Sequence, residues 1–203
     1  PIDLNEIDQK ILESKAQNLS LEIKSIDKFP RLVDYIVPPG VRIADTSRVR
    51  LGAYLSEGTT VMHEGFVNFN AGTLGAAMIE GRISAGVVIG KNSDLGGGAS
   101  TMGTLSGGNA VKISIGENCL MGANSGLGIP LGNNCIVEAG LYITGGSKVE
   151  MFDQNMQSKG EIKAAELSNV DNLLFLRNSQ SGAIEARVNT KSVELNNTLH
   201  LNQ

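Results

Sequence analysis

The sequence predicts an all-β solenoid of stacked hexapeptide coils, and three observations carry that expectation. From about Val37 to Val149 an aliphatic residue returns every six positions, with a small residue four places later. The pairs run Ile43 and Ser47, Val49 and Ala53, Leu55 and Thr59, Val61 and Gly65, Val67 and Ala71, and so on. Counting Val37 as the first, sixteen of nineteen repeat starts are Ile, Val, Leu or Met, which is too many for chance recurrence in a glycine-rich sheet. Composition agrees: there is no Trp, aromatics are 4%, and glycine occurs 25 times. A narrow core holds branched aliphatics but few rings, and tight corners that need positive φ suit glycine.

A period of six fits neither a surface helix nor a free-standing alternating strand over such a length. It fits a coil with three flat sides, each one hexapeptide long, stacked so that every side becomes a parallel sheet at a spacing of roughly 4.8 Å. The aliphatic residue points inward and the small residue occupies the crowded corner. The repeat is irregular at four places. Shortened steps run from Ala85 to Ile89 and from Leu127 to Leu131. The run Gly96-Gly97-Gly98 interrupts it, and Thr101 to Ile115 spans fourteen residues, so a loop is extruded after Met102. Loops carried on a rigid scaffold are where function concentrates.

Three regions follow: residues 1–36, an N-terminal helical segment; 37–150, the solenoid; and 151–203, a C-terminal loop and β-hairpin region. Asp3 to Lys24 reads as helix, with Leu4, Ile7, Ile11 and Leu12 at helical spacing and Asp3 positioned to cap above Glu6. Leu19, Leu21 and Ile23 alternate and also fit a short strand. One amphipathic stripe cannot build its own core, so this segment is expected to dock on the solenoid or on a neighbouring subunit. Phe152 to Gly160 reads as a polar loop, Lys163 to Ser168 as a turn, and Asn172 to Arg177 as a strand. Ser181-Gly182 turns that strand into Ala183–Val188 as a hairpin. Leu195 to Gln203 reads as a polar, frayed end. With net charge −4, no basic cluster, no apolar run of membrane-spanning length and no leader, the chain is expected to be soluble and cytoplasmic, with neither nucleic acid nor membrane as a partner.

Few residues can carry chemistry. Cys119 and Cys135 both take the small-residue position, on adjacent coils, and read as buried free thiols rather than a disulfide. The two histidines, His63 and His200, cannot form a three-histidine zinc site within one chain. Carboxylates remain. Glu80 follows an inward aliphatic and precedes a glycine corner, with Arg82 close by to hold charge; Glu64 is the second candidate, beside Gly65. Either reads equally well as an ordinary solvated side chain. Gly97, Gly98 and Gly103 present backbone N–H groups of the kind an oxyanion or phosphate needs, although a solenoid wants glycine in any case.

Four stretches are more particular than generic hexads: Met62 to Gly75 (MHEGFVNFNAGTLG), Gly96 to Gly108 (GGGASTMGTLSGG), Met121 to Ile129 (MGANSGLGI) and Val137 to Thr144 (VEAGLYIT). They resemble the tetrahydrodipicolinate N-succinyltransferases, and within these the subgroup with Glu-Gly-Arg-Ile-Ser-Ala-Gly, here Glu80 to Gly86. The resemblance runs from roughly Val37 to Gly182. It implies a left-handed parallel β-helix, a homotrimer with active sites between subunits, and transfer of succinyl from succinyl-CoA. The implied acceptor is the amino group of ring-opened tetrahydrodipicolinate, a step of lysine and diaminopimelate biosynthesis.

By the same resemblance Glu80 matches the catalytic carboxylate, described in the family as forming an acyl anhydride. A general-base role competes with that on chemical grounds. Gly103 matches the oxyanion-hole glycine. Contacts to succinyl-CoA carry over to Arg82, Gly97, Ser100, Ala123, Glu138, Ala139 and Gly146, with Lys163, Leu176, Arg177, Asn178 and Ser179 completing the site. Arg82 and Lys163 carry the charge that carboxylate or phosphate groups call for. Glu64 matches one member of an acidic pair that holds magnesium in relatives, whereas Ser47 stands at the other position, which puts the ion in doubt. The chain also has far less before its solenoid than the family's usual N-terminal domain, and a few more residues around Gln154 to Gly160. Two other readings stay open: a hexapeptide-repeat acyltransferase with another donor or amine acceptor, and a non-enzymatic solenoid that binds or assembles.

Overall fold

The computed structural model describes residues 2–103 and 111–190. It contains two compact units, Pro1–Pro30 and Arg31–Gln203.

In the second unit, short parallel strands form three faces that the chain visits in rotation. The first face holds Arg42–Ile43, Thr60–Val61, Ala77–Ile79, Ser93–Leu95, Leu120–Met121 and Ile136–Val137. The second holds Phe66–Val67, Arg82–Ile83, Ser100–Thr101, Gly126–Gly128 and Tyr142–Thr144. The third holds Tyr54–Leu55, Gly72–Thr73, Val88–Ile89 and Ser114–Ile115. Register confirms the three-sided coil: Thr60 pairs with Met78, eighteen residues on. Met78 pairs with Asp94 and Leu120 with Ile136, sixteen residues on in each case, because two shortened steps drop a pair of residues from their coils. The first of them runs from Ile79 to Ile83 and not, as the spacing suggested, from Ala85 to Ile89: Ile83 pairs with Val67 and takes the inward position. Ser100 pairs with Gly126, twenty-six residues on, so the connection after Met102 is extended. Residues 104–110 of that predicted loop lie outside the described residues.

The inward row is the core. Val61, Val67, Ile79, Ile83, Ile89, Leu95, Met121, Leu127, Val137, Ile143 and Val149 are all fully buried. Each contributes on the order of 2 kcal/mol by leaving water, so this row is the main reason the chain coils. Thr73 and Thr101 depart from the aliphatic pattern yet are also buried. Thr73 Oγ1 lies 2.7 Å from Thr59 Oγ1, and the Thr101 hydroxyl donates to the Arg82 carbonyl at 3.1 Å. Val37 does not belong to the row. It is 79% exposed, because Pro38 and Pro39 offer no N–H to pair with a neighbouring coil.

Asparagine shares the corners with glycine. At the corner from the third face to the first, Gly58, Asn92, Asn118, Asn134 and Asn172 all adopt positive φ. Asn118, Asn134 and Asn172 each donate their backbone N–H to the coil before. Asn tolerates this left-handed backbone better than other residues with a Cβ.

Two segments differ from the expectation. The N-terminal helix α1 spans only Ile7–Ala16. Asp3 accepts from the Asn5 amide at 2.9 Å instead of capping the helix, and Asn18, at φ 54°, closes the other end. The Asn18 and Leu19 amides fold back onto the carbonyls of Lys15 and Ser14, which terminates the helix well before Lys24. The predicted polar loop is shorter than expected, because Ser158–Lys163 is a strand paired antiparallel with Lys148–Phe152. The predicted hairpin is present, Leu173–Arg177 against Ile184–Val188, and its first strand continues the first face next to Ile136–Val137. The tail from Leu195 lies outside the described residues. Among the described residues no helix is long and apolar enough to cross a membrane.

Candidate active site

The corner from the first face to the second is built by Glu80, Gly97-Gly98, Ala123-Asn124 and Glu138 to Gly140. Backbone bonds tie it into a ladder: Gly98 N–H donates to Glu80 O, Asn124 N–H to Gly97 O, and Gly140 N–H to Ala123 O. Glu80 follows fully buried Ile79, so its backbone is fixed while its half-buried side chain projects from the corner. A Cβ added to Gly97 would stand 3.3 Å from Glu64 Oε2 and 3.8 Å from Glu80 Oε2. Two carboxylates from successive coils thus face the same small space, and the glycine leaves room for it.

Arg82 and Ser100 open the next two strands of the second face, in register, and the Arg82 Nη2 donates to Ser100 Oγ at 2.7 Å. Glu138 Oε2 accepts from the Arg177 backbone N–H at 2.8 Å, which draws the Leu176–Ser179 segment to the same corner. Asn178 Nδ2 donates to buried Glu185 at 2.6 Å, and Glu185 also accepts from Arg187. The turn carrying Asn178 and Ser179 is therefore anchored from beneath.

The remaining candidates collect at the far edge of the second face. Gly103 follows Ser100–Thr101, and Gly146 follows Tyr142–Thr144. Lys163 is held beside Gly146, because the Ala164 N–H donates to Ser147 O and the Ala165 N–H to Gly145 O. Glu80 and Gly103 are therefore not brought together within one chain. Gly98, hydrogen-bonded to Glu80, is separated from Gly103 by the width of a face, on the order of 15 Å at strand rise per residue.

One contributor was missed from the sequence. Asp94 lies on the first face, paired with Met78 on one side and Leu120 on the other, and its acidity is displaced. Burial, and secondarily the charge of Glu80, push its carboxyl up to about 6. The available signal was a charged residue set between Met78 and Leu120 in an outward row that otherwise reads Arg42, Thr60, Met78, Leu120, Ile136.

Cys119 and Cys135 are free and buried, as expected. The Cys135 N–H points at Cys119 Sγ at 3.4 Å, confirming adjacent coils. Hydrogen bonding with the Cys135 thiol, and then burial, hold the Cys119 thiol above its ordinary range, which suits packing rather than nucleophilic work. His63 is exposed and His200 lies outside the described residues. Around Glu64, Arg48 donates to the Gly65 carbonyl at 2.8 Å and the Glu64 carbonyl at 3.0 Å, while the Ser47 hydroxyl and amide both turn to Asp45 Oδ1. Among the described residues no group of three or more His, Cys, Asp or Glu could hold a metal ion. A cation at the corner and a serine committed to its neighbour do not fit a magnesium ion held by one chain.

The profile of the family described as hexapeptide repeat of succinyl-transferase matches residues 112–145. The 2,3,4,5-tetrahydropyridine-2,6-dicarboxylate N-succinyltransferase of Pseudomonas paraeruginosa is 61% identical over 199 residues, covering 98% of this chain and 58% of that protein. The protein of the same name from Vibrio cholerae is 59% identical over 202 residues, covering 100% and 59%. A crystal structure from Campylobacter jejuni, carrying the name of a 2,3,4,5-tetrahydropyridine-2-carboxylate N-succinyltransferase, superposes with a TM-score of 0.83 at 42% identity, covering 96% of this chain and 54% of that one. Along nearly all of its own residues the chain is therefore a homologue of the tetrahydropyridine-dicarboxylate N-succinyltransferases, and it spans under three fifths of their length.

Proposed function

We propose that this chain carries the acyl-transfer site of an N-succinyltransferase, which moves succinyl from succinyl-CoA to the amino group of ring-opened tetrahydrodipicolinate in lysine and diaminopimelate biosynthesis. The observation that carries the reading is Glu80 on a rigid corner, its carboxylate sharing the space over Gly97 with Glu64, in a chain 61% identical to a succinyltransferase. In this reading the solenoid is left-handed, the protein is a cytoplasmic homotrimer, and each site lies between two copies. The split of the candidate residues supports that arrangement. A general base and an oxyanion donor must each come within about 3 Å of the reacting groups, which one chain's Glu80 and Gly103 cannot do together.

The amine attacks the thioester carbonyl carbon and gives its proton to Glu80. The oxyanion of the tetrahedral intermediate is met by the Gly103 N–H of the neighbouring copy; the C–S bond then breaks and CoA leaves as the thiolate. The base role is preferred to an anhydride because the attacking amine must lose a proton, which a carboxylate on a fixed corner can accept. Arg82, turned to Ser100, stands where it can receive the succinyl carboxylate or a phosphate, and Lys163 supplies a cation at the opposite edge. The open backbone at Gly97, Ala123, Ala139 and Gly146 gives the pantetheine arm a path along the coils.

The test is release of CoA from succinyl-CoA with and without tetrahydrodipicolinate, on the wild type and on Glu80→Ala. Acceptor-dependent release that falls by ~10²-fold or more in Glu80→Ala, with native mass unchanged, is expected for loss of a general base. Full activity in Glu80→Ala would remove the assignment. Faster turnover with acetyl-CoA would move the chain to another acyl donor.

A further inference from the structure

Strand register sets Arg82, Ser100, Gly126 and Tyr142 in one outward column of the second face, one residue per coil. Tyr142 leans back along this column: a Cβ added to Gly126 would collide with its ring carbons. The ring therefore rests on the Gly126 backbone and covers two coils, a posture that only glycine at 126 permits. It remains 47% exposed. An exposed ring is ordinary by itself, but its position is not. Beside the column runs the corner from the first face to the second. Beyond Glu80 this corner offers Gly97, Ala123 and Ala139 on successive coils, with no side chain larger than a methyl group among them. A Cβ at Gly140 would meet nothing within 4 Å, so the corner is open next to Tyr142. On the other side of Glu80 the corner is taken by Glu64 and by Arg48, which donates to the Glu64 and Gly65 carbonyls. A long arm joined to an acyl group at Glu80 thus runs towards Ala139 and passes the ring.

We propose that Tyr142 is a donor-binding residue of the transfer site: its ring packs against the pantoyl part of the pantetheine arm, the second amide and the carbon that bears two methyl groups. The lengths agree. Coils stack at about 4.8 Å, so the ring, over the second and third coils beyond that of Glu80, stands roughly 10–14 Å along the corner. In an extended arm the second amide and the dimethyl carbon lie roughly 11 and 13 Å from the thioester carbon, at about 1.2 Å per bond. The backbone beneath the ring fixes its posture before the ligand arrives, so little side-chain freedom is lost on binding. Tyr142 takes part in no covalent step. This rests on the succinyl-CoA reading above, and adds to it a contact that senses the length of the donor's arm.

The experiment measures donor KM and kcat at saturating tetrahydrodipicolinate in wild type, Tyr142→Ala, Tyr142→Phe and Gly126→Ala. The donors are succinyl-CoA, succinyl-pantetheine and succinyl-N-acetylcysteamine, which ends at the first amide. In Tyr142→Ala, KM is expected to rise about fivefold to tenfold for the two long donors, with kcat within about twofold, because the contact is the same in ground and transition states. For the short donor kcat/KM should equal that of wild type. Tyr142→Phe keeps the ring and should behave as wild type. Gly126→Ala keeps Tyr142 but pushes its ring off the strand, and should reproduce the Tyr142→Ala pattern with native mass unchanged. The proposal is overturned by an equal loss on the short donor, or by no loss on either long one. A loss confined to succinyl-CoA would place the ring at the nucleotide, and a lower native mass in Tyr142→Ala would make it a contact between copies; either overturns the proposal. A wild type that releases no CoA from succinyl-CoA removes the succinyltransferase reading and this contact with it. An active wild type beside an unaffected Tyr142→Ala removes this inference alone.

Discussion

At the scale of single residues, the placement of Asp94 works against stability, and that has a measurable consequence. A carboxyl raised from 3.8 to about 6 binds its proton more tightly in the folded chain than in the unfolded one. Stability from this group is therefore present below the unfolded value and is lost as pH rises from about 4 through about 6. The full shift corresponds to about 3 kcal/mol, but solvent reaches this half-buried side chain, so about 1 kcal/mol is the realistic cost at neutral pH. Asp94→Asn should accordingly raise the melting temperature by roughly 2–4 °C at pH 7.5, with the gain vanishing below about pH 3.5, where the carboxyl is protonated in both states. Thermal scans at the two pH values check this, and a variant that melts lower at pH 7.5 would show that the carboxylate is stabilising. Sequence reasoning found Glu80, Glu64 and Gly97 separately, from hexad position and resemblance. It did not find Asp94, because the apolar neighbours that bury it, Met78 and Leu120, lie on the coils before and after, and the alignment with Met78 depends on the shortened step from Ile79 to Ile83.

At the scale of elements, periodicity was legible because burial is periodic: every inward position from Leu55 to Val149 that carries Ile, Val, Leu or Met is buried. The corners were harder to read, since asparagine and glycine both accept left-handed backbone and only glycine was expected there. The stack Asn92, Asn118 and Asn134 shows what was missed. Asn118 sits at φ 55°, donates its backbone N–H to Lys91 O at 2.9 Å, and receives the Asn92 side-chain amide at 3.4 Å. Asn118→Ala should lower stability by about 1–2 kcal/mol, because the left-handed conformation crowds a Cβ that lacks local polar compensation. Asn118→Gly should stay within about 0.5 kcal/mol of wild type, since glycine adopts the same φ without that crowding. Equal losses in the two variants, measured by denaturant unfolding, would mean that the side-chain contact and not the backbone sets the cost. The same local logic shortened α1, where Asn18 in the left-handed region stops the helix although its apolar spacing continues. It also hid the strand Ser158–Lys163, whose polar residues carry no alternation to mark it.

At the scale of the molecule, the candidate residues stand on stacked coils, yet a single chain presents them in two separate groups. Glu80, Gly97, Ala123 and Glu138 stand at one edge of the second face, and Gly103, Gly146 and Lys163 at the other. If neighbouring copies join edge to edge, each site takes its base from one chain and its oxyanion donor from the next, and two differently damaged chains should repair each other. Glu80→Ala removes the carboxylate, and Gly103→Pro removes the backbone N–H. Each should be nearly inactive as a pure preparation. Unfolded together in equal amounts and refolded, the two should form mixed closed rings in which about a quarter of the sites draw an intact Glu80 from one chain and an intact Gly103 from its neighbour. Activity should therefore return to about a quarter of the wild-type value, and should not return when the two proteins are mixed without unfolding, because subunits of a stable ring exchange slowly. The return depends on both parents sharing one ring but lacking different halves of the site. Mixing Glu80→Ala with a second base-side variant such as Glu80→Gln should restore nothing, since no neighbour can then supply the missing carboxylate. Co-refolded chains that stay inactive while forming mixed rings by native mass would confine both functions to one chain and overturn the shared-site arrangement.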